Sequence, residues 1–229
     1  MRSFLYKSLI IPALLLPKLS MSAQKTDWAQ FDRYAASNRE IVQSGDTLKV
    51  VFFGNSITDS WASMRPEFFK GNGFIGRGIS GQSTYQFLSR FREDVVNLKP
   101  RIVILNGATN DIAENTHPYS EEMTLGNIRS MVEIARANGI GVILTSTLPA
   151  AGFKWNRAVK DAPEKITSLN SRIKALADEL NLPYVDYHSL LIDTDGRSLR
   201  RDLSPDGVHP NAAGYAIMEE AILPIIKNY

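Results

Sequence analysis

The order of apolar and polar positions along the chain alternates between short apolar runs and longer stretches with helical spacing. The apolar runs cover residues 49–53, 101–105, 141–146 and 182–186, with a weaker run at residues 74–76. The amphipathic stretches between and after them cover residues 83–98, 120–138, 163–180 and 211–226. Short apolar runs are typical of buried strands, and apolar positions three and four apart are typical of helices. The pattern therefore predicts strands that alternate with helices.

This alternation indicates a mostly parallel sheet covered on both faces, because parallel strands need crossover connections and bury both of their faces. The predicted fold class is a three-layer α/β/α domain with about five strands. No internal repeat, low-complexity tract or linker rich in Pro, Gly and Ser follows the first 23 residues, so a second domain is not expected. Ligands of such sheets bind beyond the carboxyl ends of the strands.

The first 23 residues differ from the rest of the chain. Arg2 and Lys7 precede a short apolar stretch at residues 9–17, and small residues follow it, which is the layout of a secretory signal peptide. The apolar stretch is too short to span a bilayer. The alternative is a buried helix, but two prolines interrupt the stretch. The sequence predicts a signal peptide at residues 1–23, a single domain at residues 24–229, and a secreted or periplasmic location.

Charge and composition exclude several classes of function. The formal net charge is +2, and because residues 1–23 hold three basic residues and no acidic one, the remaining chain carries −1. No basic surface of the kind that binds nucleic acid is expected from such a chain. The absence of cysteine excludes disulfides, a thiolate zinc site, a cysteine nucleophile and a lipoprotein anchor.

A serine stands where the first apolar run breaks, in the segment KVVFFGNSITDSW at residues 49–61. At a strand-to-helix turn, a serine hydroxyl lies at the carboxyl edge of the sheet and its N–H lies at a helix N-terminus, where backbone donors favour negative charge. Ser56 is therefore a candidate nucleophile that also supplies an oxyanion donor. An ordinary helix cap would use the same residue type, so other residues must decide between the two interpretations.

Asp206 and His209 lie three residues apart in the loop before the last predicted helix, in the segment LSPDGVHPNAAGY. A short turn can bring the carboxylate against one imidazole nitrogen while the other nitrogen faces outward, which is what the base of an activated serine needs. The pairs Asp-Gly and His-Pro also favour turns without any chemistry.

Asn110 is the last residue but one of the segment RIVILNGATND, which begins with another predicted strand. Its amide N–H suits a developing oxyanion, alongside the backbone N–H groups of Ser56 and Gly81. Turn chemistry alone would also explain Asn-Asp after a strand. Four such features at one predicted edge of the sheet favour a catalytic site over four unrelated turns.

These segments resemble the motifs of the SGNH, or GDSL-type, hydrolase family of esterases and lipases. GNSIT resembles the first motif, GISGQ the second, ATND the third and DGVH the last, in the family's order over roughly residues 45–225. The resemblance implies a flavodoxin-like sheet of five parallel strands and no cofactor. It also implies that Ser56 is the nucleophile and that Asp206 and His209 complete a triad with it. Gly81 and Asn110 would be two further oxyanion donors.

The chain departs from the family pattern at two positions. Asn55 stands where the family's nickname has Asp, a change that should be tolerated because the nucleophile is the next residue. Ala108 stands where the third motif usually has Gly, and Gly107 is displaced by one position. The approach of the backbone at that point is therefore expected to differ.

The sequence does not support two other kinds of site, a dinucleotide site and a metal site. The segment GRGISG at residues 76–81 matches G-x-G-x-x-G, but it follows the second strand, and no acidic residue ends the next strand about 20 positions on, as a dinucleotide site requires. His117 and His188 stand in no metal-ligand spacing, so no metal is predicted.

Three aromatic residues are expected to line the substrate cleft. Trp61 follows the nucleophile by about one turn, and Phe153 and Trp155 lie on the long loop after the fourth predicted strand. The sequence predicts a secreted serine esterase that cleaves short acyl esters, acetyl above all, on small molecules or glycans, without nucleic-acid partners or a stable membrane anchor. The alternatives are a lysophospholipase or lipase of the same family and a catalytically silent carbohydrate-binding module.

Overall fold

The computed structural model of the chain describes residues 27–45 and 49–229, so the predicted signal peptide lies outside the described residues. A sheet of parallel strands forms its centre, and the strands are β1 Val50–Gly54, β2 Phe74–Gly78, β3 Ile102–Asn106, β4 Gly141–Thr145 and β5 Tyr184–Val185. Their order across the sheet is β2-β1-β3-β4-β5. This is the flavodoxin-like order, and it confirms the predicted fold class.

The strands end in register at the carboxyl edge of the sheet. Gly54 of β1 pairs with Gly78 of β2 on one side and with Asn106 of β3 on the other. The segments that follow these three residues must therefore start beside one another. Every residue of β1 and β3 is buried, which explains why these strands are continuous apolar runs instead of alternating patterns.

Nine helices surround the sheet in the described part of the chain, and several of them were predicted. They are α1 Asp32–Ser44, α2 Ser56–Met64, α3 Pro66–Asn72, α4 Thr84–Asp94, α5 Thr109–Ile112, α6 Glu121–Ala137, α7 Ala162–Glu179, α8 Tyr187–Leu191 and α9 Ala212–Asn228. The predicted helix at residues 83–98 ends at Asp94, and a 3₁₀ turn, Val96–Leu98, follows. No helix among these is long and apolar enough to cross a membrane.

Two apolar cores lie on opposite faces of the sheet. The core under α4, α6 and α7 is mostly aliphatic and includes Val103, Met131 and Ile173. The core under α2, α3 and α9 is richer in aromatic residues, and it holds the contacting rings of Phe52, Trp61, Phe68, Phe69, Phe74 and Tyr215. Both faces of the sheet are thus covered, as a parallel sheet requires.

Helix α1 was not predicted. Polar bonds hold much of it in place, and Ile41 also packs against the aliphatic core. Asn38 is the one residue of the helix that is buried. Its side-chain amide donates to the Asp94 carboxylate at 2.7 Å, and its oxygen accepts from Arg77 Nε at 2.9 Å. The Tyr34 hydroxyl donates to the carbonyl of Gly78. Hydrophobic periodicity cannot detect a helix that is anchored in this way.

Candidate active site

Ser56 is the first residue of α2 and directly follows the turn that ends β1. Asn55 caps the helix, because its Oδ1 accepts from the Ile57 N–H at 3.0 Å. The turn is tight: a Cβ on Gly54 would lie 2.2 Å from the Asn106 carbonyl oxygen. Asn55 is fully buried, and at this position a neutral amide fulfils the capping role of the family's Asp without burying a charge.

Ser56, His209 and Asp206 form a continuous chain of hydrogen bonds. The Oγ of Ser56 lies 2.8 Å from Nε2 of His209, although 153 residues separate the two. On the other side of the ring, Nδ1 of His209 lies 2.7 Å from Oδ2 of Asp206. The structure places the Asp206 carboxylate against one imidazole nitrogen and Ser56 against the other.

The loop that carries Asp206 and His209 is held by its own bonds. Oδ1 of Asp206 accepts from the N–H groups of His209 at 2.8 Å and Val208 at 2.9 Å. Burial raises the pKa of Asp206, but the hydrogen bonds from His209 and Val208 outweigh it and hold this pKa at about 2. The Ser204 hydroxyl donates to the His209 carbonyl at 2.8 Å. Asp206 therefore stays ionised beside the imidazole, which fixes the orientation of the ring.

Gly81 and Asn110 lie across from the nucleophile. Gly81 adopts φ +81°, a left-handed conformation that only glycine takes readily, and a Cβ there would meet no atom within 4 Å. Glycine is therefore needed here for its backbone angle and not for space. Asn110 stands at the second position of α5, is 3% exposed, and donates one Nδ2 hydrogen to the carbonyl of Gln82 at 2.9 Å. Its amide carries a second hydrogen that this bond does not use.

Asp111 anchors the helix that carries Asn110. Its carboxylate accepts from the Thr84 N–H at 3.0 Å and from the Thr124 hydroxyl at 3.2 Å, which ties α5 to α4 and α6. Burial raises the pKa of Asp111, and the bonds from Thr84 oppose that shift. Ala108 takes the family's Gly position with φ 77°. The backbone thus adopts a glycine-like conformation there even though the residue is alanine.

Arg90, a buried arginine, donates hydrogen bonds to the end of β1 and to the segment just before α4. The Arg90 guanidinium is fully buried and donates to the Gly54 carbonyl at 2.9 Å, to Gln82 Oε1 at 2.6 Å and to the Asp94 carboxylate at 2.8 Å. Burial lowers the pKa of Arg90, and Asp94 counteracts this. Arg90 was missed at the sequence level. The available signal was a charge pair four residues apart on the same helix face as Phe87 and Phe91.

Trp155 forms the outer rim of the site. Its ring is 49% exposed, yet its Nε1–H donates to Asn115 Oδ1 at 2.8 Å. The Asn115 amide in turn donates to the Gly81 carbonyl at 3.2 Å. The ring of Phe153, 5.2 Å away, supports Trp155 from inside. Asn115 is a second residue that sequence reasoning missed, because no motif includes it.

Two of the three predicted cleft aromatics do not face the cleft. Trp61 is fully buried, stacks on Phe68 and Tyr215, and donates its indole N–H to Glu219 at 3.0 Å. The prediction for Trp61 was wrong because it follows Ser56 by five positions, which is about 140° around a helix axis. Phe153 is 3% exposed and lies in the core behind Trp155, so that prediction was wrong as well.

Five of the eight predicted site residues line one cavity of about 410 Å³, which we call the catalytic cavity. It is lined by Ser56, Ser60, Ser80, Gly81, Asn110, Asn115, Trp155 and His209. A larger cavity of about 1200 Å³ borders α1 and the residues just before β3 and β4, such as Pro100 and Ile140. That cavity lies at the amino edge of the sheet and includes no member of the hydrogen-bonded chain, so the catalytic cavity is the candidate active site.

The cavity has two walls that differ in construction. We call the residues Ser56, Asp206 and His209 the nucleophile wall, and the residues Gly81, Asn110, Asn115 and Trp155 the oxyanion wall. The other two histidines lie elsewhere: Nδ1 of His117 is 2.8 Å from the Pro118 carbonyl, and the N–H of His188 donates to Ser146. Within residues 27–45 and 49–229, no group of three or more metal-ligating side chains is arranged to hold an ion.

Two of the relatives that comparison with known proteins finds are named acetylxylan esterases. An acetylxylan esterase of Geobacillus stearothermophilus is 26% identical over 78% of this chain and 94% of its own length. An acetylxylan esterase of Xylanibacter ruminicola is 22% identical over 80% of this chain, and the chain spans 44% of that relative's length.

Solved structures are also similar to this chain. A GDSL-like lipase of Bacteroides thetaiotaomicron is 50% identical, with a TM-score of 0.82, over 87% of this chain and 98% of that one. The model of the GDSL-like Lipase/Acylhydrolase family matches residues 52–217, which include every residue of both walls. The chain belongs to this family and is a carboxylic ester hydrolase.

Proposed function

We propose that the chain is a serine esterase that removes short acyl groups, acetyl above all, from carbohydrate esters. The observation that carries the proposal is the hydrogen-bonded chain from Ser56 through His209 to Asp206, open to a cavity that Gly81 and Asn110 also line. The two relatives named acetylxylan esterases support the choice of acetyl and of a sugar alcohol.

In the first half of the reaction, Ser56 Oγ attacks the carbonyl carbon of the ester while its proton moves to Nε2 of His209. Negative charge develops on the carbonyl oxygen. The N–H groups of Ser56 and Gly81 and the free Nδ2 hydrogen of Asn110 stabilise this charge. Asp206, ionised beside Nδ1, stabilises the imidazolium that forms. The C–O bond then breaks, and the alcohol leaves with the proton held by His209.

In the second half, water replaces the alcohol in the same geometry. His209 takes a proton from the water as the water oxygen attacks the acyl carbon on Ser56. The same donors stabilise the second oxyanion, and the proton returns to Ser56 Oγ as the acid leaves. The products are one carboxylic acid and one alcohol, and the enzyme returns to its starting state.

The rim of the site supports a polar alcohol over a long acyl chain. The segment between β4 and α7 brings the exposed side chains of Lys154 and Arg157 next to Trp155. A lid that covers a lipid would present a sustained apolar face. An aromatic ring surrounded by polar side chains suits a sugar instead.

A panel of p-nitrophenyl esters with acyl chains of two, four, eight and sixteen carbons tests the acyl preference. Together with an acetylated oligosaccharide, assayed for released acid, the panel gives kcat/KM for each ester. The proposal predicts a maximum at acetate. A maximum at eight carbons or longer would instead establish the lysophospholipase alternative.

Labelling with a fluorophosphonate tests the nucleophile directly, since this reagent bonds covalently to activated serines. The label should appear on the peptide that contains Ser56 and should be lost in the variant Ser56→Ala. A protein that binds glycans but takes no label would be the silent binding module.

We also propose that residues 1–23 are a signal peptide and that residues 24–229 form the mature catalytic domain. The support is the basic, apolar and small-residue order of that segment. A Bacillus subtilis relative, 26% identical over 76% of this chain, is named a lipoprotein, but this sequence has no cysteine to carry a lipid. N-terminal sequencing of the protein from the medium or periplasm tests the cleavage site.

A further inference from the structure

A second cavity adjoins the catalytic cavity on the far side of Trp155, and we call it the distal cavity. Its volume is about 390 Å³, and its lining residues are Gly81, Ala113, Glu114, Asn115, Trp155 and Asn156. Gly81, Asn115 and Trp155 line both cavities. A substrate that reaches Ser56 and extends past Trp155 would therefore enter the distal cavity.

Trp155, between the two cavities, is an exposed ring that is already held in place. The bond from its indole N–H to Asn115 and the contact with Phe153 restrict its side-chain angles. An aromatic ring fixed before binding loses little conformational entropy when a ligand packs on it. Such a ring presents a flat apolar surface to one face of a sugar.

Of the three residues that line only the distal cavity, Ala113 is small and apolar, and the side chains of Glu114 and Asn156 are polar. Glu114 brings a carboxylate that is about one third exposed, with Lys165 Nζ 3.9 Å away. Asn156 brings an amide whose Nδ2 donates to the Ala113 carbonyl at 2.9 Å. Carboxylate and amide groups bind hydroxyls well. An acyl chain would find too little apolar surface here, and the Glu114 charge disfavours a phosphate.

Glu114 occupies a backbone position where glycine would be more favourable. Its φ is 56°, and it lies just past the end of α5, where its N–H donates to Asp111 and the N–H of Asn115 donates to Asn110, both at 3.0 Å. This is the helix-ending motif in which glycine is usual. A side chain in left-handed conformation costs stability. The Glu114 carboxylate accepts from the Tyr119 N–H at 3.4 Å through Oε1, so Oε2 is the oxygen that can accept from a ligand hydroxyl at the mouth of the cavity.

We propose that the distal cavity binds the sugar ring next to the one that bears the ester, so that the enzyme prefers acetylated oligosaccharides over acetylated monosaccharides. The inference rests on the proposed function, because the first ring is held by the ester at Ser56. The second ring would pack on Trp155, with its hydroxyls bonded to Glu114 and Asn156.

Matched substrates test the proposal. For the wild type, kcat/KM should be about tenfold higher for a singly acetylated β-1,4-linked disaccharide than for the same acetylated monosaccharide, as expected from one stacking contact and one hydrogen bond. In Glu114→Gly, this gain should fall to about twofold or less. That variant relieves the left-handed backbone, so it should fold at least as well as the wild type.

A control variant and a binding measurement separate the possible outcomes. Lys160→Ala changes an exposed residue of the segment between β4 and α7 that lines neither cavity, and it should keep the full gain. Calorimetric titration of Ser56→Ala with the unacetylated disaccharide and monosaccharide measures the cavity without turnover. The disaccharide should bind about tenfold more tightly, and adding Glu114→Gly should remove the difference.

Equal affinities for the two sugars, or a difference that survives Glu114→Gly, would overturn the inference. Failure of the wild type to hydrolyse any acetyl ester would instead overturn the proposed function. The titration would still decide whether the distal cavity binds a sugar ring.

Discussion

The nucleophile wall and the oxyanion wall face each other across one cavity but are built in different ways. Asp206 and His209 are three residues apart, and several short bonds within one loop fix them. The oxyanion wall joins segments that follow three different strands, and single side-chain bonds link them: Asn110 to Gln82, Asn115 to Gly81 and Trp155 to Asn115. In the first wall, the Asp206–His209 pair is local and held by several bonds, and Ser56 joins it through one bond across 153 residues of sequence. In the second wall, single substitutions can remove the bonds that link its segments.

The largest effect should come from removing the nucleophile. Ser56→Ala should lower kcat by about 10³-fold or more, because attack and proton transfer both need the hydroxyl. Little packing is lost, so the thermal midpoint should stay within a few degrees. Ser63→Ala, an exposed serine on the same helix, is the matched control and should retain activity. Substantial turnover by Ser56→Ala would remove Ser56 from the reaction.

The chemical contribution of the opposite wall should be measurable in Asn110→Ala. We expect kcat to fall by about 10²-fold with little change in KM, because the amide acts on charge that develops only in the transition state. Steady-state kinetics with p-nitrophenyl acetate separates the two parameters. A rise in KM alone would mean that Asn110 binds the substrate and does not stabilise the oxyanion.

A smaller effect is expected for the link between the rim and the oxyanion donor. Asn115→Ala removes the bonds to both Gly81 and Trp155, so kcat should fall by about tenfold as the Gly81 backbone loses a restraint. Trp155→Phe removes the indole N–H and leaves a smaller aromatic ring, but it keeps the bond from Asn115 to Gly81, so kcat on p-nitrophenyl acetate should stay within about twofold. If both variants lower kcat equally, the bond to Gly81 has no positioning role.

The smallest effect concerns the pH dependence of stability on the nucleophile wall. Asp206 has a pKa of about 2 in the folded protein against an ordinary 3.8. A carboxyl whose pKa is lowered by folding stabilises the folded protein at pH values above its pKa in the unfolded chain. This contribution is lost as the pH falls through its pKa in the folded protein. The urea midpoint of the wild type should therefore exceed that of Asp206→Asn at pH 5, and the difference should shrink toward pH 2. A constant difference would contradict the shift. Exposure to solvent keeps the effect small.

The parts of the site that sequence could predict are those in which residue type and position in a motif carry the information. Ser56, Asp206 and His209 follow or precede recognisable elements, and the buried strands gave continuous apolar runs that fixed the edge of the sheet where these residues meet. The direction of a side chain on a helix is a different matter. Trp61 lies near Ser56 in sequence but on another face of α2, against Tyr215.

The parts that sequence could not predict depend on bonds between distant polar groups. Asn115 matters because Gly81 lies within reach of its amide, and Arg90 because Gly54 and Gln82 lie above it. Helix α1 is held in large part through the polar side chains of Asn38 and Tyr34. Periodicity describes burial of apolar surface, so it carries no information on contacts of this kind.

The tryptophans differ in their exposure to solvent, so their fluorescence can report on different parts of the protein. Indole emission shifts with the polarity around the ring, and Trp61 is sealed in the core while Trp155 is 49% exposed beside His209, with 6.4 Å between ring centres. Trp28, 53% exposed, is the third chromophore. In Trp28→Phe, the blue-emitting component would come from Trp61 and the red-emitting component from Trp155. A shift in the red component alone would then report occupancy of the cleft in real time, without any label.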